Sequence, residues 1–376
     1  MIRCAPVRQV ILTALAITFS SAAALSQDRL GPPVPTLNPP QDAPKKLEPG
    51  AIEFAAPPFQ LDRAGPGPVR FMDFGGSPTG FLKGNQNFSN FIGFISNPVQ
   101  SIDPRSSTEI VVLFGSAWVT ANDVTLPGGR VIDRGLLPSG NMQVYGGGPM
   151  AIALSDRLCI GLNDGGYAVA RFSSDRERIL RNLGLPIPDV DRGGERHGWL
   201  NLGGYAQYTL IADVERQFLL TAGLRWEAPA GSTRIFQGGA NPAYLAPYVT
   251  AGKEFGCYHV LATTGYEFPA GSGQATTNTF YLNLHFDRKI GWLYPLVELN
   301  GSYHTSSVDA NLNTPRHGVI DLGTFTSTGN ALIGAVGANA ALVPGKLELG
   351  AVYTRPITAQ NHFDFNGMLV KMTYRY

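Results

Sequence analysis

Apolar and polar residues alternate along much of the chain from Glu109 onward. The alternation is clear in one segment, where Phe280, Leu282, Leu284 and Phe286 have one parity and Tyr281, Asn283, His285 and Asp287 the other. A period of two is typical of a β-strand whose two faces meet different surroundings. We recognise about twelve such segments, starting at about residues 109, 142, 158, 199, 217, 244, 257, 278, 292, 329, 346 and 364. The pattern predicts an all-β fold.

The connections between these segments alternate in length. Long connections follow the first, third, fifth and ninth segments, at about residues 119–141, 174–198, 229–243 and 306–328. The connections after the seventh and eleventh segments are intermediate, and the even segments end in tight turns. Bacterial outer-membrane barrels have short periplasmic turns and long outer loops. The sequence therefore predicts a transmembrane antiparallel up-and-down β-barrel of about 12 strands over residues 109–376. A secreted β-sandwich or repeat protein is the soluble alternative.

The N-terminal part divides into three predicted segments. Residues 1–26 place Arg3 and Arg8 ahead of an apolar run and a small-residue stretch, which is typical of an export signal peptide. Residues 27–70 are rich in proline and predict an extended linker in the periplasm. Residues 71–108 contain several phenylalanines near helical spacing. That spacing fits either a short amphipathic helix or a plug inside the barrel.

The chain ends on an amphipathic strand over residues 367–376. Lys371, Thr373 and Arg375 share one face. The other face resembles the C-terminal signal that the barrel assembly machinery recognises, and consists of Met368, Val370, Met372, Tyr374 and Tyr376. Apolar residues at every second position suit a lipid-facing strand, and a terminal aromatic suits the membrane interface. We therefore expect a Gram-negative outer-membrane location, with outer-membrane lipid and the assembly machinery as partners.

Composition narrows the class of protein further. Hydrophobic residues make up 44% and charged residues 15% of the chain, which is too polar for a helical membrane protein and low in charge for a soluble one. Removing residues 1–26 removes two basic residues and changes the net charge from +1 to −1, so nucleic acid is not an expected partner. Cys159 and Cys257 are too few for a disulfide framework, and they either pair or stay free. His197 has no ligand-spaced partner, so no metal or cofactor is expected.

Strand parity also predicts which side chains face the lumen. If the apolar faces meet lipid, the lumen candidates are Arg171, Tyr205, Gln207, Arg225, Glu227, Glu267, His285, Glu298, Asn300, Glu348, Lys371 and Arg375. Both charge signs occur, so no strong ion preference follows. A barrel of twelve strands is intermediate between barrels filled by side chains and barrels with an open channel. A narrow polar pore and a plugged or filled barrel are both compatible with the sequence.

Two stretches of the second half of the barrel resemble a known family. They read LLTAGLRWEAPAGSTRIFQGG, from Leu219, and LAPYVTAGKEFGCYHVLATTGYEFPAG, from Leu245. Strands that end in Pro-Ala-Gly around a loop are similar to those of the outer-membrane barrel family named for the MetA pathway of phenol degradation, a group of transporters. The resemblance implies passage of small, apolar or aromatic compounds through the barrel. It carries over no catalytic residues.

Three functions are compatible with a barrel of this kind. The favoured one is a channel or transporter that passes small-molecule solutes passively through a polar lumen. The second is a structural or interaction barrel that binds envelope components through its long external loops. The third is a lipid hydrolase, because barrel hydrolases carry a His-x-Ser pair on the lipid side of a strand, and this chain has His304 and Ser306. Since Val297, Leu299 and Tyr303 take the predicted lipid face, the pair faces the lumen and no enzyme activity is expected.

Overall fold

The computed structural model describes residues 80–376 except 121–122, 127–129, 134–138, 148–149, 185–186, 188–191, 236, 239–242, 271–277, 306–330 and 360–363. The predicted signal peptide at residues 1–26 and linker at 27–70 lie outside the described residues. Of the predicted Phe-rich segment, residues 80–108 are described.

The described residues fold almost entirely into β-strands. In chain order the strands are β1 (Glu109–Thr120), β2 (Asp123–Leu126), β3 (Arg130–Asp133), β4 (Gly140–Gly147), β5 (Met150–Ala153), β6 (Leu158–Asp164), β7 (Gly166–Phe172), β8 (Gly194–Trp199), β9 (Leu202–Asp213), β10 (Phe218–Ala228), β11 (Ala243–Phe255), β12 (Tyr258–Ala270), β13 (Thr279–Arg288), β14 (Leu293–His304), β15 (Ala331–Val343), β16 (Leu347–Ala359) and β17 (Asp364–Arg375). Within the described ranges, helical structure is limited to α1 (Asp175–Asn182) and two 3-10 turns, Gln86–Phe88 and Thr233–Ile235. No helix within the described ranges is long and apolar enough to cross a membrane.

Fifteen of these strands form one antiparallel sheet that closes on itself where β17 pairs with β1. The pairs β4 and β5, β6 and β7, and β8 and β9 each make one interrupted pass, and the remaining nine sheet strands make one pass each. The result is the predicted all-β, twelve-stranded transmembrane barrel. Eleven of the twelve predicted starts lie within two residues of the observed ones, and the fourth pass is split into β8 and β9.

Burial alternates along the strands as the parity predicts. In β13, Tyr281, Asn283 and His285 are buried while Phe280 and Leu284 are exposed or half-buried. Large apolar side chains on the outward faces stay exposed around the barrel, such as Ile110, Val297 and Val336. A belt of this size would be unfavourable in water because exposed apolar surface costs free energy in proportion to its area. Lipid is the surrounding that fits it.

The two ends of the barrel differ as the connection lengths predict. One end has tight turns, and at two of them Gly256 and Gly291 take a positive φ of 69° and 66°, a conformation that side chains other than glycine adopt at a cost. The other end carries the β2–β3 hairpin, α1 and the 3-10 turn Thr233–Ile235. We call these the tight-turn end and the loop end. In bacterial outer-membrane barrels the tight turns face the periplasm.

Inward-facing tyrosines lie flat against the inner side of the barrel. Each tyrosine covers a glycine on the preceding pass, so that a Cβ atom on that glycine would meet the tyrosine side chain at 2.4–2.7 Å: Tyr205 over Gly161, Tyr248 over Gly223, and Tyr281 over Gly265. Because the glycines make room at the wall, these large side chains do not project across the barrel axis.

The face of the predicted assembly signal also agrees with the parity. Met368, Met372, Tyr374 and Tyr376 are exposed on the outward face of β17 and at the chain end, and Val370 is half-buried there. Their recognition by the assembly machinery stays a prediction.

Candidate functional site

The segment that precedes β1 starts and ends at the tight-turn end. Its first part is held there by the Leu82 amide, which donates to the Ala153 carbonyl at 2.9 Å. Its last part is held by the Tyr376 amide, which donates to the Thr108 carbonyl at 3.0 Å. Between these points residues 91–106 turn into the barrel and come back. We call residues 91–106 the plug.

The plug lies inside the lumen, because inward-facing side chains on opposite sides of the barrel hydrogen-bond to its backbone. Side chains of four strands donate to backbone carbonyls of the plug. Asn163 on β6 donates to Val99 at 2.5 Å, and Gln207 on β9 donates to Asp103 and Arg105 at 3.0 Å each. Thr221 on β10 donates to Pro104 at 2.6 Å, and Thr250 on β11 donates to Ile102 at 3.0 Å. On the far side, Lys371 on β17 donates to the Phe94 carbonyl. The described part of the predicted Phe-rich segment, residues 80–108, therefore includes a lumen plug and forms no amphipathic surface helix.

Glu298 on β14 is the main acceptor for plug amides. Its two carboxylate oxygens accept from the backbone N–H groups of Ile95 at 2.8 Å and Ser96 at 2.6 Å. Asn300, two residues along the same face, donates to the Ser96 hydroxyl at 2.7 Å. Glu298 has no exposed surface, so these charge-assisted bonds form away from water, where they are strong.

A chain of histidines and carboxylates holds Glu298 in place. His285 lies 2.7 Å from Glu298 through Nδ1 and 3.0 Å from Asp287 through Nε2, and Asp287 lies 2.6 Å from Nδ1 of His259. All four groups are buried. The chain fixes the carboxylate that receives the plug amides. Within the described part of the sequence, no group of three or more His, Cys, Asp or Glu residues could hold a metal ion.

A second ionic cluster joins the plug to the barrel closure. Arg375 on β17 lies 2.9 Å from Glu109 on β1, contacts Glu348 on β16, and lies 3.8 Å from Asp103 of the plug. Asp103 also pairs with Arg105 at 2.5 Å. Burial alone would raise the pKa of Asp103, but the Arg105 and Arg375 guanidiniums outweigh it and hold that pKa well below its ordinary value. Asp103 is therefore charged when it meets Arg375.

Apolar packing completes the plug contacts. Ile95 and Val99 belong to a buried cluster with Leu113 of β1 and Val352 of β16. Ile95 fits against the wall because residue 350 is glycine: a Cβ atom there would lie 2.3 Å from its Cδ1 and 3.3 Å from its Cγ1. The plug therefore combines hydrogen-bonded, ionic and apolar contacts.

The loop end of the lumen carries a third ionic group. Arg225 lies 3.4 Å from Glu227 and also contacts Glu267 of β12, with all three side chains buried. Asn201 donates to Glu227 at 2.8 Å, and its carbonyl oxygen accepts from the amides of Gly231 and Gly238 at 3.1 and 2.9 Å. The loop after β10 is thus folded toward the lumen at this end.

The predicted lumen residues divide into two groups. Tyr205, Gln207, Arg225, Glu227, Glu267, His285, Glu298, Asn300, Glu348, Lys371 and Arg375 are all buried on the inner side. Arg171 was placed wrongly by the sequence: it is exposed on the outer face of β7 and pairs with Glu195 at 2.8 Å. The cause is a register shift in the β6–β9 pairing between Leu162 and Asp164, since one extra residue moves every later side chain to the opposite face.

Sequence reasoning missed several inward-facing groups that matter here. Asn163, Thr221 and Thr250 hold the plug, and Asp164 and Asp287 add two buried carboxylates. Parity gave the face of Asp287, but parity alone cannot show which inward side chains meet the plug. Asp164 lies beyond the register shift, where parity fails.

The remaining candidate groups are the two cysteines and the His-x-Ser pair. Cys159 is a buried free thiol, so it is not joined to Cys257. His304 ends β14, and Ser306 lies outside the described residues, so the geometry of the pair is not described.

No family model and no curated protein matches this chain. Similar solved structures include an outer membrane channel from Pseudomonas putida F1, with 12% identity and a TM-score of 0.49 over 74% of this chain and 98% of that chain. A mutant of TodX, a monoaromatic hydrocarbon channel, has 8% identity and a TM-score of 0.40 over 74% of this chain and 92% of that one. The translocator domain of the autotransporter NalP from Neisseria meningitidis has 10% identity and a TM-score of 0.38 over 72% and 89%. Likeness at this level does not establish a function.

Proposed function

We propose that this protein is a gated outer-membrane channel for small solutes, and that the plug is its gate. The observation that carries the proposal is a discrete segment of the chain that lies inside the lumen and is bonded there by side chains of the wall. Eight strands make a barrel that side chains fill, and the interior widens with each added strand. In this twelve-stranded barrel the plug takes up the extra space.

The plug is built so that it can leave without opening the barrel. Among the described residues, 80–108 form no strand with the wall, and the sheet closes through β1 and β17 alone. The plug is held mainly by side chains of the wall that bond its backbone. Its departure would therefore leave every strand pairing of the barrel intact.

The location and the solute class are further parts of the proposal. The apolar outer belt supports the outer membrane, and the tight-turn end, where the plug begins, supports an N-terminal arm in the periplasm. The flat inward tyrosine rings support small solutes with apolar or aromatic parts, which is also what the resemblance to the MetA-pathway barrels implies.

A second candidate is a structural or interaction barrel that never opens. The plug inside the lumen favours this second candidate, because a barrel that acts only by binding through its outer loops does not need an open lumen. The two candidates differ in one measurable property, which is whether the purified protein carries current.

We expect Glu298→Gln to raise the open fraction of the full-length protein in planar lipid bilayers. The carboxylate accepts two plug amides, whereas a carboxamide must turn its NH₂ group toward one of them. Hydrogen bonds to charged groups contribute about 1.5–3 kcal/mol, and about 1.4 kcal/mol is tenfold in an equilibrium. The open fraction should therefore rise about tenfold or more, relative to wild-type protein that opens rarely.

The matched control is Glu195→Gln, which changes an exposed carboxylate on the outer face and should leave gating unchanged. Folding of each protein is checked by heat-modifiable migration on a gel. If folded wild-type and Glu298→Gln proteins both stay silent at every voltage, the interaction barrel replaces the channel.

A further inference from the structure

His285 contacts carboxylates through both nitrogens of its ring. Its Nδ1 atom lies 2.7 Å from Glu298, and its Nε2 atom lies 3.0 Å from Asp287. A neutral histidine has one N–H group, and its other ring nitrogen can only accept, as can an ionised carboxylate. A neutral His285 would therefore bond one neighbour and turn a lone pair toward the other. The observed arrangement requires a second proton at this ring.

The other histidine of the chain does not have this requirement. His259 lies 2.6 Å from Asp287 through Nδ1, while its Nε2 atom lies 3.7 Å from Glu254, which is beyond hydrogen-bond distance. One proton on Nδ1 satisfies the short contact. Asp287 uses a separate oxygen for each histidine, Oδ1 for His259 and Oδ2 for His285. The second proton is therefore needed at His285.

This proton is coupled to the position of the plug. The Glu298 oxygen that faces His285 also accepts from the Ile95 amide at 2.8 Å. The ring of Phe94 covers the imidazole edge to face, with the ring centroids 5.5 Å apart, and both rings are buried. A plug that leaves would expose the imidazole and its carboxylates to water. Water can hydrogen-bond each of them, so the open arrangement does not need the second proton.

Histidine is the side chain that ordinarily changes charge near neutral pH. The other titratable groups around the chain are Glu254 of β11, Lys289 after β13, Tyr294 of β14, Glu348 of β16, Lys371 of β17 and Arg105 of the plug. Carboxyl groups ordinarily titrate near about pH 4, histidine near about pH 6.5, and tyrosine and lysine near about pH 10. A pH range from about 6 to about 9 therefore isolates the histidines.

From these contacts we infer that His285 is a positioning residue of the gate and that loss of its second proton releases the plug. It acts through Glu298, which accepts the plug amides. The closed state binds this proton and the open state releases it, so low pH favours the closed plug and high pH favours the open one. The inference rests on the proposed channel function and adds the group that regulates it.

The first test follows the open fraction of the full-length protein in planar bilayers from about pH 6 to about pH 9, with equal pH on both sides. The ratio of open to closed wild-type protein should rise several-fold across this range. The rise is limited to about tenfold per pH unit, because one proton is released. The Gly350→Leu protein, in which leucine takes the space of Ile95, shows whether the unplugged lumen conducts.

Two variants of similar size to the wild-type side chains should act in opposite directions. His285→Gln lacks the titrating ring, so its gate should open more often than wild type at about pH 6 and should not respond to pH. Asp287→Asn should stay closed at about pH 9, because its carboxamide accepts from His259 through oxygen and donates to a neutral His285 through nitrogen. A purely structural chain would be loosened by both changes. His197→Gln, at an exposed histidine of β8, is the control and should keep the wild-type response.

Ring ¹⁵N signals detect the proton without any conduction. The full-length protein is labelled on its histidines and folded in detergent, and folding is checked by heat-modifiable migration. At about pH 8, where an ordinary histidine is neutral, one ring should keep both nitrogens protonated. That signal should be missing from His285→Gln.

Each outcome supports or overturns a separate part of the account. A conducting wild-type protein whose open fraction stays constant or falls as the pH rises overturns the inference and leaves the channel function standing. A pH response that persists in His285→Gln, or a neutral His285 ring at about pH 8, also overturns it. Silence of wild-type and Gly350→Leu proteins at every pH removes the channel function, while the ¹⁵N signals still decide whether the closed plug holds the proton.

Discussion

Replacing Gly350 by leucine is expected to turn a barrel that opens rarely into one that conducts for much of the time. The glycine lies against Ile95 of the plug, and even a Cβ atom at residue 350 would lie 2.3 Å from the Ile95 side chain. Leucine would fill the space that Ile95 occupies, so the plug has to move. Overpacking costs about 1–3 kcal/mol, and about 1.4 kcal/mol is tenfold in an equilibrium. The open fraction in planar bilayers should therefore rise about 5- to 140-fold.

The neighbouring residue supplies the control. Ala351 is exposed on the outer face of the same strand, so Ala351→Leu adds the same bulk toward lipid and should gate like the wild-type protein. Ile95→Ala approaches the same contact from the plug side, since it removes apolar packing without adding bulk to the wall. If Gly350→Leu folds and stays as closed as Ala351→Leu, the plug does not control conduction.

Replacing Arg375 by methionine is expected to prevent stable assembly of the barrel. Its guanidinium is the shared partner of Glu109, Glu348 and Asp103, which come from β1, β16 and the plug. Without it, three carboxylates would face one another with little access to water. Removing one partner of a buried ion pair typically costs about 3–5 kcal/mol. The variant should show little heat-modifiable protein in the outer membrane and a lowered free energy of unfolding after refolding in detergent.

The loss of folded Arg375→Met protein should result from the missing charge and not from the size of the side chain. Adding Glu109→Gln and Glu348→Gln to Arg375→Met removes two of the orphaned charges, so the triple variant should recover much of the folded protein. Arg355→Met, an exposed arginine on β16, is the matched control and should assemble normally. Normal assembly of Arg375→Met itself would show that the cluster contributes nothing to closure.

The strands of this barrel can be predicted from sequence because one physical rule governs all of them. Each pass separates lipid from the lumen, so parity shows directly in residues such as Phe280 and Tyr281. The tight turns restrict where each pass can begin, which is why most predicted starts agree with the structure. The rule failed at Arg171, because the register shift near Leu162 leaves no mark in the parity of the flanking residues.

The set of side chains assigned to the lumen changed as a result. Arg171 moved out of the lumen, while Asp164 and Asp287 joined it. The sequence pattern could not identify the plug either. Phenylalanines near helical spacing suit a surface helix and a packed lumen alike, and the partners that decide between them, such as Asn163 and Glu298, lie far away in sequence.

The central claim is that movement of the plug opens this barrel, and a disulfide between the plug and the wall tests it most directly. The Cγ1 position of Ile95, where a cysteine sulfur would lie, is 3.3 Å from a Cβ atom at residue 350. This spacing suits a disulfide, because with an S–S bond of about 2.0 Å the sulfur of one cysteine lies about 3 Å from the Cβ atom of the other. The Ile95→Cys, Gly350→Cys protein is measured in one bilayer before and after a reductant, with wild-type protein given the same reductant as the control. The account predicts silence while the disulfide is intact and conductance once it is reduced; equal conductance in both states would contradict it.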